Sequence, residues 1–310
     1  MPMNCAGYSR PNLLMPPQNN NNSTSALSQQ MQRLRHQVDR IDLKILQLLQ
    51  QRTKLSGQIG EIKRRHRAVI YVPEREGELL KRVVRLSRGK LPPRAVTAIY
   101  REILSSSRAA QGQAAIGLPQ SSAATVLLPG RWYFGACDEF SLKKTWSELA
   151  KGLHSGALAL VLLTGEDLIR VFRTTAGRQQ FFERFTVAGD FSSSPGAAVS
   201  LARRIFIVIP RGKGAAIEAN RILILIKCKS TVNAVKMLLN CMPEAPIHAE
   251  QLSLRAQPAR GGTVDALVRL TLPKPLEGIY ATSQLLAARQ SMGLPVSILG
   301  VYLNLEDYGG

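Results

Sequence analysis

The chain has 310 residues, 45% of them apolar and 5% aromatic, and a formal net charge of +20. That length accommodates two or three domains, and no stretch approaches the ~18 consecutive apolar residues of a membrane-spanning helix. So basic a balance raises nucleic acid or acidic ligands as partners, but no recognition motif accompanies it and stacking aromatics are scarce, so nucleic acid is set aside and most of the excess is assigned to solvated surface.

Cys5, Cys137, Cys228 and Cys241 form no CxxC pair and the four histidines are scattered, so neither a zinc site nor a disulfide framework is expected. No metal or other cofactor is expected, and a reducing cytoplasm is the compartment that fits. The N-terminus lacks a basic-then-apolar signal pattern. Residues 1–38 contain no acidic residue and are rich in Asn, Gln and Ser, and residues 1–30 read as a disordered tail around NNNNSTS.

A long helical pattern starts near Met31. Leu34, Val38, Ile41, Ile45, Leu48, Leu49, Leu55, Ile59 and Ile62 recur at spacings of three and four. Gly57 and Gly60 are its weak points, and it runs to the loop before Pro73, about 35 residues or roughly 50 Å at helical rise. A helix of that length needs a partner over its apolar face. Pro73 opens a second helix at a position where proline is tolerated, carrying Leu79, Leu80, Val83, Val84 and Leu86. RGKLPP is a turn, and a third helix carries Val96, Ile99, Tyr100, Ile103 and Leu104. Residues 31–113 are therefore expected to be an all-α domain of three helices.

The small, glycine-spotted stretch 114–130 reads as a linker. Beyond it the pattern alternates short strands and helices. ALALVLL (157–163), RIFIVI (204–209), RILILIK (221–227) and VSILGVYL (296–303) have strand length, with amphipathic helical stretches at 232–242 and 277–292. The second half is expected to be α+β, with 131–220 an unassigned α/β segment and 221–310 a separate unit. Trp132, Trp146, Phe181, Phe182 and Phe185 are expected in its core, and TGED after the first strand reads as a turn.

The candidate chemistry lies on the three helices. Arg52 and Lys63 are eleven residues apart, close to three turns, and so share a face. Arg35 lies seventeen residues before Arg52, roughly 25 Å along the axis, beyond the reach of one small ligand. A two-fold partner would bring its copy of Arg35 to the other end, and the uncovered apolar face asks for the same partner. Arg75 and Glu76 open the second helix, and Ser107 and Gln111, four apart, are neighbours on the third. The set is rich in fixed donors and poor in nucleophiles, as the binding of a rigid dicarboxylate with an ether oxygen requires. Arg64, Arg65 and Arg67 read as a basic surface cluster and His66 as exposed.

The runs LRHQVDRIDLKILQLLQQR, GEIK, YVPERE and YREILSSSRAAQ resemble the helical class of chorismate mutase. The resemblance covers 31–113 and implies an intertwined homodimer that rearranges chorismate to prephenate without a cofactor. By position it implies that Arg52, with Arg35 of the partner subunit, clamps the two carboxylates. Lys63 and Gln111 would donate to the breaking ether bond, Arg75 and Ser107 would hold the ring side, and Glu76 would accept from the ring hydroxyl. Where the family usually carries an aspartate before PERE this chain has Val72, which leaves only the backbone there. The order of elements over 221–305 resembles an ACT-type regulatory domain, a ferredoxin-like βαββαβ unit, with Arg255 the remnant of its effector motif. The arrangement resembles a reduced bifunctional chorismate mutase–prephenate dehydratase, in which the Thr-Arg-Phe signature would fall on Arg204, Ile205 and Phe206 with only the phenylalanine matching. The first expectation is a chorismate mutase with a regulatory or structural α+β region. A bifunctional mutase–dehydratase and a non-catalytic binding protein on the same scaffold are the alternatives.

Overall fold

The computed structural model describes residues 21–66, 68–193, 203–211, 218–228, 248–253, 264–277 and 296–302. The chain divides into two compact units, Met1–Gln51 and Arg52–Gly310. Helix α1 spans Asn21–Arg65, so it starts ten residues before the expected point and residues 21–30 are helix, not disordered tail. Ala26, Gln29 and Gln30 are good helix formers, and extending an existing helix is far easier than nucleating one. In the first unit Leu34, Val38, Ile41, Ile45 and Leu48, the stripe read from the sequence, are all exposed.

Helix α2 (Pro73–Ser87) has Pro73 in its first turn, and its N-cap Val72 makes no side-chain cap. Helix α3 (Pro93–Ala110) ends in a Schellman turn: the Gly112 N–H donates to the Ala109 carbonyl and the Gln113 N–H to the Arg108 carbonyl. Gly112 has φ 75°, a conformation glycine adopts without strain. The turn fixes Gln111 and Gln113 at the end of α3.

The expected linker 114–130 is instead structured. Ala115–Pro119 is strand β1, and Ala123–Phe134, with Pro129 inside it, is helix α4. Ile116, Leu118 and Val126 are fully buried. Small residues marked this stretch as loop-like, but here they serve close packing: a Cβ on Gly117 would lie 2.6 Å from Leu158 Cδ1. The α/β region therefore begins directly after α3.

That region continues with β2 (Phe140–Lys143), α5 (Trp146–Ser155), β3 (Leu158–Thr164), α6 (Gly165–Arg173), α7 (Thr175–Arg184), β4 (Phe185–Ser192) and β5 (Arg204–Pro210). Its five-stranded sheet has the order β2-β1-β3-β5-β4, with β1 parallel to β2 and β3, and β5 antiparallel to β3 and β4. Both faces are covered, so its central strands are unbroken apolar runs. Alternate residues serve opposite cores. Leu160, Leu162, Ile205 and Ile207 join Val126 and Phe134 of α4, while Val161, Leu163, Phe206 and Val208 join α5, α6 and α7. TGED is not a turn but the start of α6, where Thr164 and Asp167 form a reciprocal capping box. Phe181 and Phe185 are core as expected, with Trp146 and Phe182 partly buried against them. Trp132 is 48% exposed, beneath the guanidinium of Arg101 at 4.4 Å, because it lies on the side of α4 that faces away from the sheet.

Strands β6 (Glu218–Cys228), β7 (His248–Ser253), β8 (Val264–Glu277) and β9 (Val296–Tyr302) form a second sheet, antiparallel throughout, in the order β7-β8-β6-β9. The helices expected at 232–242 and over most of 277–292 lie outside the described residues, and Glu277 itself ends β8. Leu223, Leu225, Leu267, Leu299 and Tyr302 share a core with the first sheet. Among the described residues no helix is long and apolar enough to cross a membrane.

Candidate active site

A cavity of about 670 Å³ opens among the C-terminal part of α1, the loop before α2, and helices α2 and α3, within the volume range of small-molecule sites. It is lined by Arg52, Lys63, Val72, Arg75, Glu76, Ser107 and Gln111, together with Ser56, Arg82, Arg85 and Arg108. Seven of the residues singled out in the sequence thus converge on one cavity. Arg35 is exposed on α1 in the first compact unit, and Arg255 lies outside the described residues.

Close helix packing sets the geometry. Gly60 is where α1 meets the end of α3: a Cβ there would lie 2.6 Å from both Cα and O of Gln111. The glycine that looked like a weak point in the helix is what lets Gln111 reach the cavity. Arg52 donates to the Ser107 hydroxyl and, at 3.2 Å, to the Ile103 carbonyl, to which Ser107 also donates at 2.7 Å. Lys63 Nζ donates to the Ile70 carbonyl at 2.8 Å, which ties α1 to the loop before α2. Burial lowers the pKa of both cations, and Arg75 lowers that of Lys63 further. The Gln111 side-chain oxygen is buried without a hydrogen-bond partner, an exception to the rule that buried polar groups are satisfied. Arg64 donates to the Gln111 carbonyl at 2.8 Å, a contact its surface-cluster reading did not foresee.

Glu76 is held by a residue the sequence did not single out. Arg108 Nη1 donates to both Glu76 oxygens, at 2.8 and 2.6 Å. Burial pushes the Glu76 carboxyl up against the pull of Arg108. Burial alone would lower Arg108, but Glu76 and Asp138 outweigh it and raise it. Arg82 and Arg85 were legible in principle, since Arg75, Glu78, Arg82 and Arg85 recur at three and four along one face of α2. Arg108 carried no such signal, because its partners lie far away in sequence. Chemically, cations and neutral donors outnumber carboxylates, and no nucleophile is paired with a base. The arrangement can bind and orient a dianion and stabilise charge growing on an oxygen.

Residues 34–112 match the family model for chorismate mutase type II. This segment is a chorismate mutase domain. Over 81 residues the chain is 44% identical to the bifunctional chorismate mutase/prephenate dehydratase of Aquifex aeolicus (strain VF5), covering 25% of this chain and 22% of that protein. Over 71 residues it is 39% identical to the protein of the same description from Neisseria gonorrhoeae, covering 23% and 19%. The chain thus matches about a fifth of the length of these relatives. Among solved structures, a prephenate dehydratase from Streptococcus mutans aligns with 61% of this chain and 98% of its own, at a TM-score of 0.41 and 10% identity.

Proposed function

We propose that the protein is a chorismate mutase that rearranges chorismate to prephenate in the biosynthesis of phenylalanine and tyrosine. The observation that carries this reading is the convergence of Arg52, Lys63, Arg75, Glu76, Ser107 and Gln111 on one cavity. The reaction is an intramolecular pericyclic rearrangement, so it needs no covalent step. The site has to hold a compact, chair-like conformer and stabilise negative charge as the ether C–O bond breaks.

Arg52, anchored by Ser107 and the Ile103 carbonyl, binds one carboxylate as a guanidinium fork, a geometry that lysine cannot offer. Lys63 and the Gln111 amide donate to the ether oxygen, and Gln111, being neutral, does so without needing acid pH. Arg75 and Ser107 hold the ring side, Glu76 accepts from the ring hydroxyl, and Val72 offers its backbone alone. Arg35 of a second copy reaches the far carboxylate, and the exposed apolar stripe of the first unit is the face that copy covers. No metal or other cofactor takes part, and the compartment is the cytoplasm.

For the rest of the chain, the order β7-β8-β6-β9 is the strand order of a ferredoxin-like βαββαβ unit, which supports an ACT-type module over 221–310. That the relatives are bifunctional chorismate mutase/prephenate dehydratases supports reading residues 131–220 as a dehydratase remnant. Incubating the protein with chorismate and resolving the products tests the whole reading. Prephenate alone supports the mutase, phenylpyruvate means that a dehydratase survives, and no turnover favours the non-catalytic alternative. Arg52→Ala should lower turnover by at least about a hundredfold with helical circular dichroism unchanged. Mixing it with Arg35→Ala should restore a fraction of the sites, and failure to complement rules out sites shared between subunits.

A further inference from the structure

The loop after α4 reaches into the network behind the mutase cavity. Arg108 spends every face of its guanidinium. Nη1 holds both oxygens of Glu76, Nη2 donates to Asp138 Oδ2 at 2.8 Å and to the Phe134 carbonyl, and Nε reaches Asp138 Oδ1 at 3.3 Å. Asp138 is held as firmly from behind, accepting from the Ser105 hydroxyl at 2.7 Å and from the Gln113 amide at 2.9 Å. Arg108 and Asp138 side chains are 4% and 2% exposed, whereas Glu76 at 18% still reaches the cavity. The loop has no freedom to drift: Gly135 has φ 105°, and a Cβ on it would lie 2.5 Å from Ser105 Cβ.

A lone buried guanidinium behind the site would swing into the cavity and compete for a substrate carboxylate. With both carboxylates on it, its plane is fixed and its charge is divided. Each Glu76 oxygen accepts one N–H from Arg108, which leaves a lone pair on each for a group in the cavity, and two carboxylates on one guanidinium leave the cluster net negative. We propose that Asp138, acting through Arg108, is a positioning residue for Glu76, so that the α/β region completes the mutase site. This rests on the mutase reading given above. The groups facing Glu76 are Arg108 from α3, Asp138 from the loop, and Arg52 and Lys63 from α1. Of these, only Asp138 opposes ionisation of Glu76.

The test is mutase kinetics across pH on the full chain, with Asp138→Asn, Glu76→Gln and the double variant. Asp138→Asn should lower kcat/KM about ten- to a hundredfold. It should also move the acid limb of kcat/KM to lower pH, since Arg108 then acts on Glu76 alone. In the Glu76→Gln background the same change should cost less than about twofold, since residues acting as a unit are not additive. Additive losses with an unmoved acid limb overturn the proposal and leave Asp138 a structural tie. No turnover by the unmodified protein overturns the mutase reading and this proposal with it, an outcome distinct from additivity. Should Asp138→Asn fail to fold, Gln113→Ala, which removes one donor from the same carboxylate and no charge, reads the same coupling with Glu76→Gln.

Discussion

At the scale of single residues, the candidate site was legible where its members share a helix or a fixed spacing, and hidden where they do not. Arg52 and Lys63 reveal a common face by an eleven-residue interval, and Ser107 and Gln111 by an interval of four. Arg108 pairs with Glu76 and Asp138, 32 and 30 residues away, and a spacing of that kind carries no message until the chain is folded. Gly60 was misread for the same reason. In an open helix a glycine costs about 1 kcal/mol relative to alanine, so the sequence marks it as a defect. In the folded chain its missing Cβ is the room that Gln111 occupies. Gly60→Ala should therefore lower kcat through displacement of Gln111, while Gly57→Ala, whose Cβ would meet nothing nearer than the Ala110 carbonyl at 3.8 Å, should leave kcat intact and raise the melting temperature. Equal activity in the two variants would show that the close approach at Gly60 does not position the site.

At the scale of elements, local pattern found the helices of 31–113 and the strands β3, β5, β6 and β9, because an amphipathic stripe or a short apolar run between turn residues is a local property. It failed where local chemistry pointed the wrong way. β1 and α4 are built from small residues and a proline that read as a linker, and what orders them is burial between layers, which no window of sequence contains. The TGED box was readable, since Thr164 and Asp167 stand at capping distance, but the apolar run before it drew the reading toward strand and turn. The start of α2 is a case where sequence and structure agree on a weakness. Val72 sits at the N-cap with φ −128° and ψ 98° and no side-chain cap, although Asp, Asn and Ser are the residues that satisfy the first amide groups. Val72→Asp should stabilise the protein by about 1 kcal/mol through the cap and the helix dipole. For a unit of this size that is a rise of about 2–4 °C in melting temperature. The new carboxylate would also restore the group usual before PERE. A melting temperature unchanged or lowered would mean that burial of the valine side chain is worth more than the cap.

At the scale of the α/β region, the sequence foretold two groups of strands but not what joins them. The edge strands β4 and β9 meet closely: the Thr186 hydroxyl donates to the Leu299 carbonyl at 3.2 Å, and Gly300 has no room for a Cβ against Val187. Beside this contact the Asp190 carboxylate, fully buried on β4, is bound by Arg204 of β5 and, at 2.5 Å, by Arg269 of β8. Burial would raise its pKa, but the two guanidinium groups outweigh that and hold it below the usual carboxylate range. Burial, then the Asp190 charge, push the pKa of the buried Tyr302 hydroxyl well up. The run RIFIVI has strand length, and the dehydratase signature would begin at its Arg204. Its Arg204 is committed to this ion cluster, which is where the two sheets exchange charge. A cluster of this kind adds little over an apolar core but is costly to break from one side, because the surviving charges stay buried. Asp190→Asn leaves two buried guanidinium groups facing each other and should cost roughly 3–5 kcal/mol at neutral pH. Since the folded-state pKa of Asp190 is depressed, its contribution is complete above about pH 4, the ordinary aspartate value, and is lost as pH falls through the lower folded value. Denaturant titrations of the two proteins should therefore lie far apart at pH 7 and converge in acid. A gap that is the same at both pH values would mean that packing around the side chain, not its charge, joins the sheets.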